Sequence, residues 1–457
     1  MSETPDANKI AAEVIVAASE RALTGLIAGA RSAGAAVLRS LSDAYKPYLE
    51  STFSRVRTIR TFLKKNEPVE LLDQYVPASL QVGEETTSGE DLIESLLKGG
   101  RFVVSGLAGR GKSVFLRFVA LSLYYNPRGR IPIFIELRSL NSTGSKEILP
   151  FIHAQYRGGS NVPLSSFISG LRRGYFVLIL DGFDEVAPDS RATIEDQILQ
   201  IERRFSECPI LISGRPDERF DSWEHFTIFN VCPMNYYKTR KIIEKSDYDA
   251  GVKKEFLKRL TKEFFDRHES FLSTPLLAIM LMLTFEDFAE IPSSLHVFYR
   301  NAFDTLVRRH DALKSQFLRT MHSGCSAEQF GRLFASFCIL TYSKSKFQFS
   351  RDEAIGFLSS ALAQQSIKAD PAHVLADLVE SICLLQVEGF EISFVHRSFQ
   401  EYFCALFVSQ APSGAVARYL NGTTLRTYDS VVPMLYAIVP ERVDAEWAYP
   451  ALKHSMR

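Results

Sequence analysis

Gly106-Leu107-Ala108-Gly109-Arg110-Gly111-Lys112-Ser113 is the stretch on which the reading of this chain turns. It has the spacing G-x-x-x-x-G-K-S. A phosphate needs several donors at once, and a glycine-rich turn between a strand and a helix aims backbone N–H groups and the helix dipole at it. Gly106, Gly109 and Gly111 permit backbone angles closed to other residues. Lys112 is expected to meet the β- and γ-phosphates of a nucleotide and Ser113 to hold Mg2+, with Ala108 and Val114 counted among the nucleotide-binding positions. The flanks agree: Phe102-Val103-Val104 is apolar and β-prone, and Val114-Phe115-Leu116 opens an amphipathic helix.

A phosphate cradle alone hydrolyses nothing, so the next strand ends matter. Phe176-Val177-Leu178-Ile179-Leu180 runs into Asp181-Gly182-Phe183-Asp184-Glu185. In a doubly wound sheet the ligand crevice lies at the carboxyl ends of the strands, where an acid reaches a metal beside the P-loop. Asp181 is expected to orient Mg2+ through its water, and either Asp184 or Glu185 to polarise the attacking water. A further strand end supplies Ser213-Gly214-Arg215-Pro216, whose guanidinium is placed to read a γ-phosphate and so distinguish ATP from ADP. No N-K-x-D guanine-reading segment occurs, which favours ATP over GTP.

Around these motifs short apolar runs alternate with helical segments. Strands are expected at Arg101–Ser105, Ile131–Leu137, Phe176–Leu180, Pro209–Ser213 and Phe226–Val231, with helices from Lys112, within 145–172 and after Pro188. That alternation predicts an α/β fold, a P-loop parallel-sheet NTPase domain over 89–234. Beyond Asn235 the periodicity turns helical, predicting a helical domain over 235–290. A winged-helix domain is expected over 291–409, from one hairpin turning at Glu388-Gly389 and a last helix opened by a Ser398/Glu401 capping box. Residues 1–88 are expected to form an N-terminal helical effector or linker region. It includes a basic amphipathic helix, Phe53 to Lys65, that suits either a membrane or nucleic-acid surface or, preferably, the next domain. Residues 410–457 are left as a short C-terminal cap or sensor segment.

Bulk properties bound the function. Lysine plus arginine and aspartate plus glutamate number 53 each, so no global field draws the chain to nucleic acid or anionic lipid. The acidic, polar start is unlike a secretory signal, and the longest apolar run, Leu276 to Leu283, is far short of the roughly 20 residues that span a bilayer. A cytoplasmic protein without a transmembrane segment is expected. Six scattered cysteines lack any C-x-x-C pair and suggest buried thiols rather than a zinc site or a disulfide framework.

The combination GLAGRGKS, FVLILDGFDE, ILISGRP, FLSTPLLAIML and FVHRSFQEYFCA, from about Gly89 to Ser409, resembles the NACHT family of STAND-class P-loop ATPases, relatives of NLR immune receptors. The resemblance implies that Pro275 touches the adenine and that His396 contacts the β-phosphate of bound ADP. It implies a slow ATPase switch that self-associates when ATP replaces ADP, and an innate-immune or antiphage role answering an unknown protein or phage-derived trigger. Two features depart from the family. Gly214 stands where a hydroxyl residue commonly precedes the sensor arginine, and residues 410–457 carry no internal repeat of the ligand-sensing kind. Two other classes stay open: a STAND-like transcription regulator, and an AAA-like remodelling ATPase. Ser398–Val408 carries only apolar and acidic charged positions after Arg397, so nucleic acid is an improbable partner.

Overall fold

A computed structural model describes residues 35–59, 68–107, 109–126, 128–143, 147–156, 162–285, 294–312, 322–382, 384–388, 391–394, 396–422 and 430–455. The helices expected before residue 35 lie outside these, as does Ala108. The chain divides into two compact units, one of residues 1–247 with 273–275 and one of 248–272 with 276–457.

The first unit is built on a seven-stranded sheet. Its strands are β1 (Ser79–Val82), β2 (Glu85–Ser88), β3 (Arg101–Ser105), β4 (Ile131–Glu136), β5 (Phe176–Asp181), β6 (Ile210–Gly214) and β7 (Thr227–Val231). Their order across the sheet is β2-β1-β7-β3-β6-β5-β4. The five strands from β7 to β4 are parallel, and β1 joins β7 antiparallel. β5 and β6 are buried along their whole length, as uninterrupted runs of Val, Ile, Leu and Phe demand when helices cover both faces. Each such side chain contributes about 1.5–3 kcal/mol. The hairpin β1–β2 was not foreseen: of its eight residues only Leu80 is fully buried, and polar residues occupy most of the rest.

Three helices surround the P-loop strand. α1 (Ala35–Arg57) packs on α3 (Lys112–Tyr125), with α2 (Gly89–Leu97) preceding β3. α1 buries Tyr48, Leu49, Phe53 and Val56 in the core of this unit. It also covers the open edge of the sheet, because Phe134 of edge strand β4 donates its N–H to Tyr48 Oη at 3.0 Å, while its C=O accepts from Arg55 Nη2 at 3.3 Å. The expected basic helix from Phe53 to Lys65 is thus corrected. It ends at Arg57, and Thr58–Ile59 pairs antiparallel with Val69–Glu70. Arg57 pairs with Glu70 at 2.7 Å, so both Arg55 and Arg57 are turned to the protein's own groups. Residues 60–67 lie outside the described ones.

The second unit is mainly helical. The predicted hairpin is present as β9 (Leu385–Glu388) and β10 (Glu391–Phe394), and a third strand, β8 (Gln348–Ser350), pairs with β10 on its other side. At three residues with one buried side chain, Phe349, β8 is too short to leave a period in the sequence. Phe334 and Phe337 of the helix Ala327–Ser343 meet Phe394, and Phe334 also meets Phe403 of the helix Arg397–Gln410. The expected capping box at Ser398 is corrected as well. The helix is capped by His396, whose Nδ1 accepts from Ser398 N–H at 3.2 Å, and Glu401 instead pairs with Arg397 at 3.3 Å.

Candidate functional site

The strand order brings three chain segments to one place. β6 lies between β3 and β5, with Ser105 opposite Gly214 and Leu180 opposite Ile212. The P-loop, the acidic loop and Ser213–Arg215 therefore emerge side by side at the carboxyl ends of neighbouring strands. Gly106 N–H donates to Gly214 O at 3.2 Å, tying the start of the P-loop to the end of β6.

Within the loop Gly109 and Gly111 have φ of 76° and 88°, angles that favour glycine, and Gly111 caps α3. Gly106 is favoured by space rather than angle, since a Cβ there would lie 3.3 Å from Val231 Cβ, a tight contact. Lys112 Nζ donates to Gly106 O at 2.6 Å and to Leu107 O at 3.2 Å. Burial pushes its ammonium below the ordinary value, against the opposing pull of Asp184. An anion placed here would favour the charged form, as a phosphate cradle requires.

Ser113 Oγ donates to Asp181 Oδ1 at 3.1 Å, and Ser213 Oγ donates to the same oxygen. Burial raises the Asp181 carboxyl above its ordinary value, opposed by the hydrogen bond from Ser213. A hydroxyl and a carboxylate together at the mouth of a phosphate loop form a hard-oxygen set. It fits Mg2+, which is usually held by one or two carboxylates plus substrate phosphates. Among the described residues no cluster of three or more His, Cys, Asp and Glu could hold a metal ion.

The two acids left open by the sequence face different partners. Asp184 Oδ2 pairs with Arg215 Nε at 3.2 Å, and Asp184 Oδ1 accepts from Arg215 N–H, also at 3.2 Å. Glu185 folds over Gly182: a Cβ at that glycine would lie 3.2 Å from Glu185 Oε2. Gly182 itself has φ of 80° and donates its N–H to Ser213 Oγ at 2.9 Å. Gly214, the departure from the family pattern, has a steric cause. A Cβ there would come 2.9 Å from Phe220 Cζ, within the aromatic group of Phe183, Phe220 and Trp223 that supports the acidic loop. Ser213, one residue earlier, carries the hydroxyl instead.

Behind the acidic loop lies a largely buried group of charges that no motif marks. Glu136, at the end of β4, accepts from Arg117 at 3.0 Å and from Arg138 at 2.9 Å, and Arg138 Nε lies 3.9 Å from Glu185 Oε2. Burial alone would raise the Glu136 carboxyl, but Arg138, Arg117 and Arg55 outweigh it and hold it at about 2. The available signal was a carboxylate closing an apolar run, Ile131 to Ile135, the same sign that singled out Asp181. A carboxyl lowered from 4.5 to about 2 stabilises the fold above pH 4.5, and that stabilisation is lost as pH falls toward 2. Glu136→Gln should therefore melt earlier than the native chain at pH 7, by about 3 kcal/mol. Denaturant titrations at pH 7, 4 and 3 should show the gap narrowing; a gap independent of pH would contradict the charge assignment.

The remaining predicted positions are separate. Val114 is half-buried in the first turn of α3. Pro275 begins the helix Pro275–Thr284 and belongs to the first unit, anchored where Met234 N–H donates to Ser273 O at 2.8 Å. His396 belongs to the second unit. Of the predicted thiols, Cys208, Cys338 and Cys404 are buried, whereas Cys232 and Cys325 are only partly so.

A phosphate loop on the strand next to one bearing an arginine, itself next to one ending in acids, defines a P-loop NTPase. Residues 101–249 match the NACHT domain family. Solved structures similar to the chain include Cdc6p from Pyrobaculum aerophilum, with 13% identity, a TM-score of 0.32, and coverage of 74% of this chain and 98% of that one. Another is a Signal Transduction ATPase with Numerous Domains with a tetratricopeptide repeat sensor, from Pyrococcus horikoshii. It has 12% identity and a TM-score of 0.40, with coverage of 86% of this chain and 53% of that one. Domain III of the replication initiation protein DnaA from Thermotoga maritima has 10% identity, a TM-score of 0.29, and coverage of 48% and 88%. A search of curated proteins gives no match. Among the described residues no helix is long and apolar enough to cross a membrane.

Proposed function

We propose that this NTPase is an ATP/ADP-dependent signalling switch, with slow hydrolysis and nucleotide-controlled self-association, working in the cytosol in innate immune or antiphage defence. The observation that carries the reading is the Arg215–Asp184 ion pair at the ends of adjacent strands. A γ-phosphate competes with Asp184 for the same guanidinium, so ATP and ADP favour different arrangements of one loop. That difference in contacts is what a nucleotide switch needs.

Lys112 holds the β- and γ-phosphates, and the backbone from Gly106 to Val114, Ala108 included, cradles them. Ser113 and Asp181 would hold Mg2+, whose charge would offset that of the phosphates. Glu185 orients and polarises the attacking water, while Asp184 keeps Arg215 in place for the γ-phosphate. Pro275 abuts the adenine, and His396 contacts the β-phosphate of ADP in a closed state. With Nδ1 accepting from Ser398 N–H, the tautomer that carries its proton on Nε2 would offer a donor to a phosphate oxygen. Exchange for ATP opens the molecule. Open copies assemble and gather their N-terminal segments as the output, after an unidentified protein or phage-derived trigger.

The mass of the particle in solution with ADP and with a non-hydrolysable ATP analogue tests this directly. A monomer with ADP and a larger assembly with the analogue are expected; one mass under both conditions rejects the switch. Steady turnover well above about 1 s⁻¹ without any trigger would instead favour a remodelling motor. His396→Ala should assemble without a trigger, because it removes a contact made only in the closed state. An ADP-bound monomer of that variant would show the latch to be elsewhere.

A further inference from the structure

On the side of β4 the strand register ends at Glu136 opposite Asp181, yet among the described residues the backbone of the acidic loop beyond it is held as if a strand continued. The last main-chain link between the β4 and β5 segments is Leu137 N–H to Asp181 O at 2.8 Å. Beyond it the side chain of Asn141, on the short helix Ser139–Thr143, takes over. Its Nδ2 donates to Glu185 O at 2.8 Å, and its Oδ1 accepts from Ala187 N–H at 2.9 Å. One acceptor and one donor two residues apart are what a residue of a neighbouring parallel strand would engage, so the carboxamide acts as a one-residue strand partner centred on Val186.

We propose that Asn141 is a positioning residue for hydrolysis. By fixing the backbone on either side of Val186 it holds the Glu185 carboxylate over Gly182, at the site of the phosphates. The inference rests on the role given to Glu185 above. Two features assign the clamp to this purpose. The carboxylate itself is addressed from the same short segment, since Arg138 Nε lies 3.9 Å from Glu185 Oε2. The neighbouring carbonyls of Asp184 and Val186 are held from the other side by Arg191 Nη2, at 2.8 and 3.0 Å, which leaves the Glu185 carbonyl and the Ala187 N–H to Asn141. A displacement of about 1 Å at a reacting group costs up to about a hundredfold in rate, so losing the clamp acts on turnover rather than on binding.

Asn141→Ala should lower turnover roughly tenfold to a hundredfold, with the affinity for a non-hydrolysable ATP analogue within about twofold of the native chain. Asn141→Asp keeps size and the acceptor for Ala187 N–H but sets a carboxylate oxygen against Glu185 O. It should lose turnover as Asn141→Ala does, and it serves as the second variant should the alanine protein fail to fold. Single-turnover hydrolysis by Glu185→Gln, with and without Asn141→Ala, separates positioning from general damage. If Asn141 works through Glu185, the second substitution has no further effect. Multiplying losses, native turnover in Asn141→Asp, or equal losses of turnover and affinity would overturn the clamp. Native turnover in Glu185→Gln alone would overturn the role of Glu185, and the inference with it.

Discussion

Lys112→Ala is expected to lose ATP and ADP binding altogether on the scale of a titration calorimeter, a fall in affinity of more than about a hundredfold. The ammonium is half-buried at the mouth of the loop and anchored on two loop carbonyls, Gly106 O and Leu107 O. A hydrogen-bonded charge facing a phosphate is worth about 3 kcal/mol, and each 1.4 kcal/mol is tenfold. Alanine is a good helix former at the start of α3, so the fold should survive, as a thermal melt without nucleotide would verify. Assembly should vanish along with binding. Nucleotide affinity retained by this variant would mean that the phosphates sit elsewhere.

Glu185→Gln and Asp184→Asn should separate two roles that look interchangeable on paper. Glu185→Gln is expected to cut hydrolysis by about a hundredfold to ten-thousandfold while keeping ATP, because it removes the group that polarises water and leaves the cradle intact. The protein should then accumulate in its ATP-bound assembly. Asp184→Asn should weaken the hold on Arg215, whose Nε lies 3.2 Å from the carboxylate, and so change the preference between ATP and ADP more than the chemical step. Single-turnover rates beside the two affinities decide the matter. A reversed order, with Asp184→Asn inactive and Glu185→Gln active, would transfer the water to Asp184.

Strands β5 and β6 were legible as short apolar runs buried along their length, whereas β7, with Thr227 and Asn230 exposed, carries a mixed pattern. The P-loop was legible because its chemistry needs contiguous residues. Other parts left weaker traces. The β1–β2 hairpin lies at an exposed edge, where Gln81, Thr86 and Thr87 carry no apolar period. The helix expected to reach Lys65 stops at Arg57, since pairing with Val69–Glu70 outweighs a continuous amphipathic pattern. Within the site, Ser113 meets Asp181 and Asp184 meets Arg215 at the ends of neighbouring strands, beside Lys112. Glu136, Arg117, Arg138 and Asn141 were passed over because they act through partners distant in sequence, a relation that only the order β6-β5-β4 reveals. Asp184 and Glu185, adjacent in the chain, are told apart by their surroundings: Asp184 meets Arg215, while Glu185 lies over Gly182 and near Arg138.

The cover that α1 lays over β4 bears on how an output segment can be removed from this protein. With Tyr48 and Arg55 gone, Phe134 would present a bare N–H and C=O on the rim of the sheet, beside the apolar surface that Phe53 and Val56 now hide. A rim of that kind recruits strands from other molecules. A truncation at residue 65 would therefore clump for reasons unrelated to signalling, and its silence would say nothing about the N-terminal segment. Cutting before Ala35 removes the preceding residues and leaves the rim sealed.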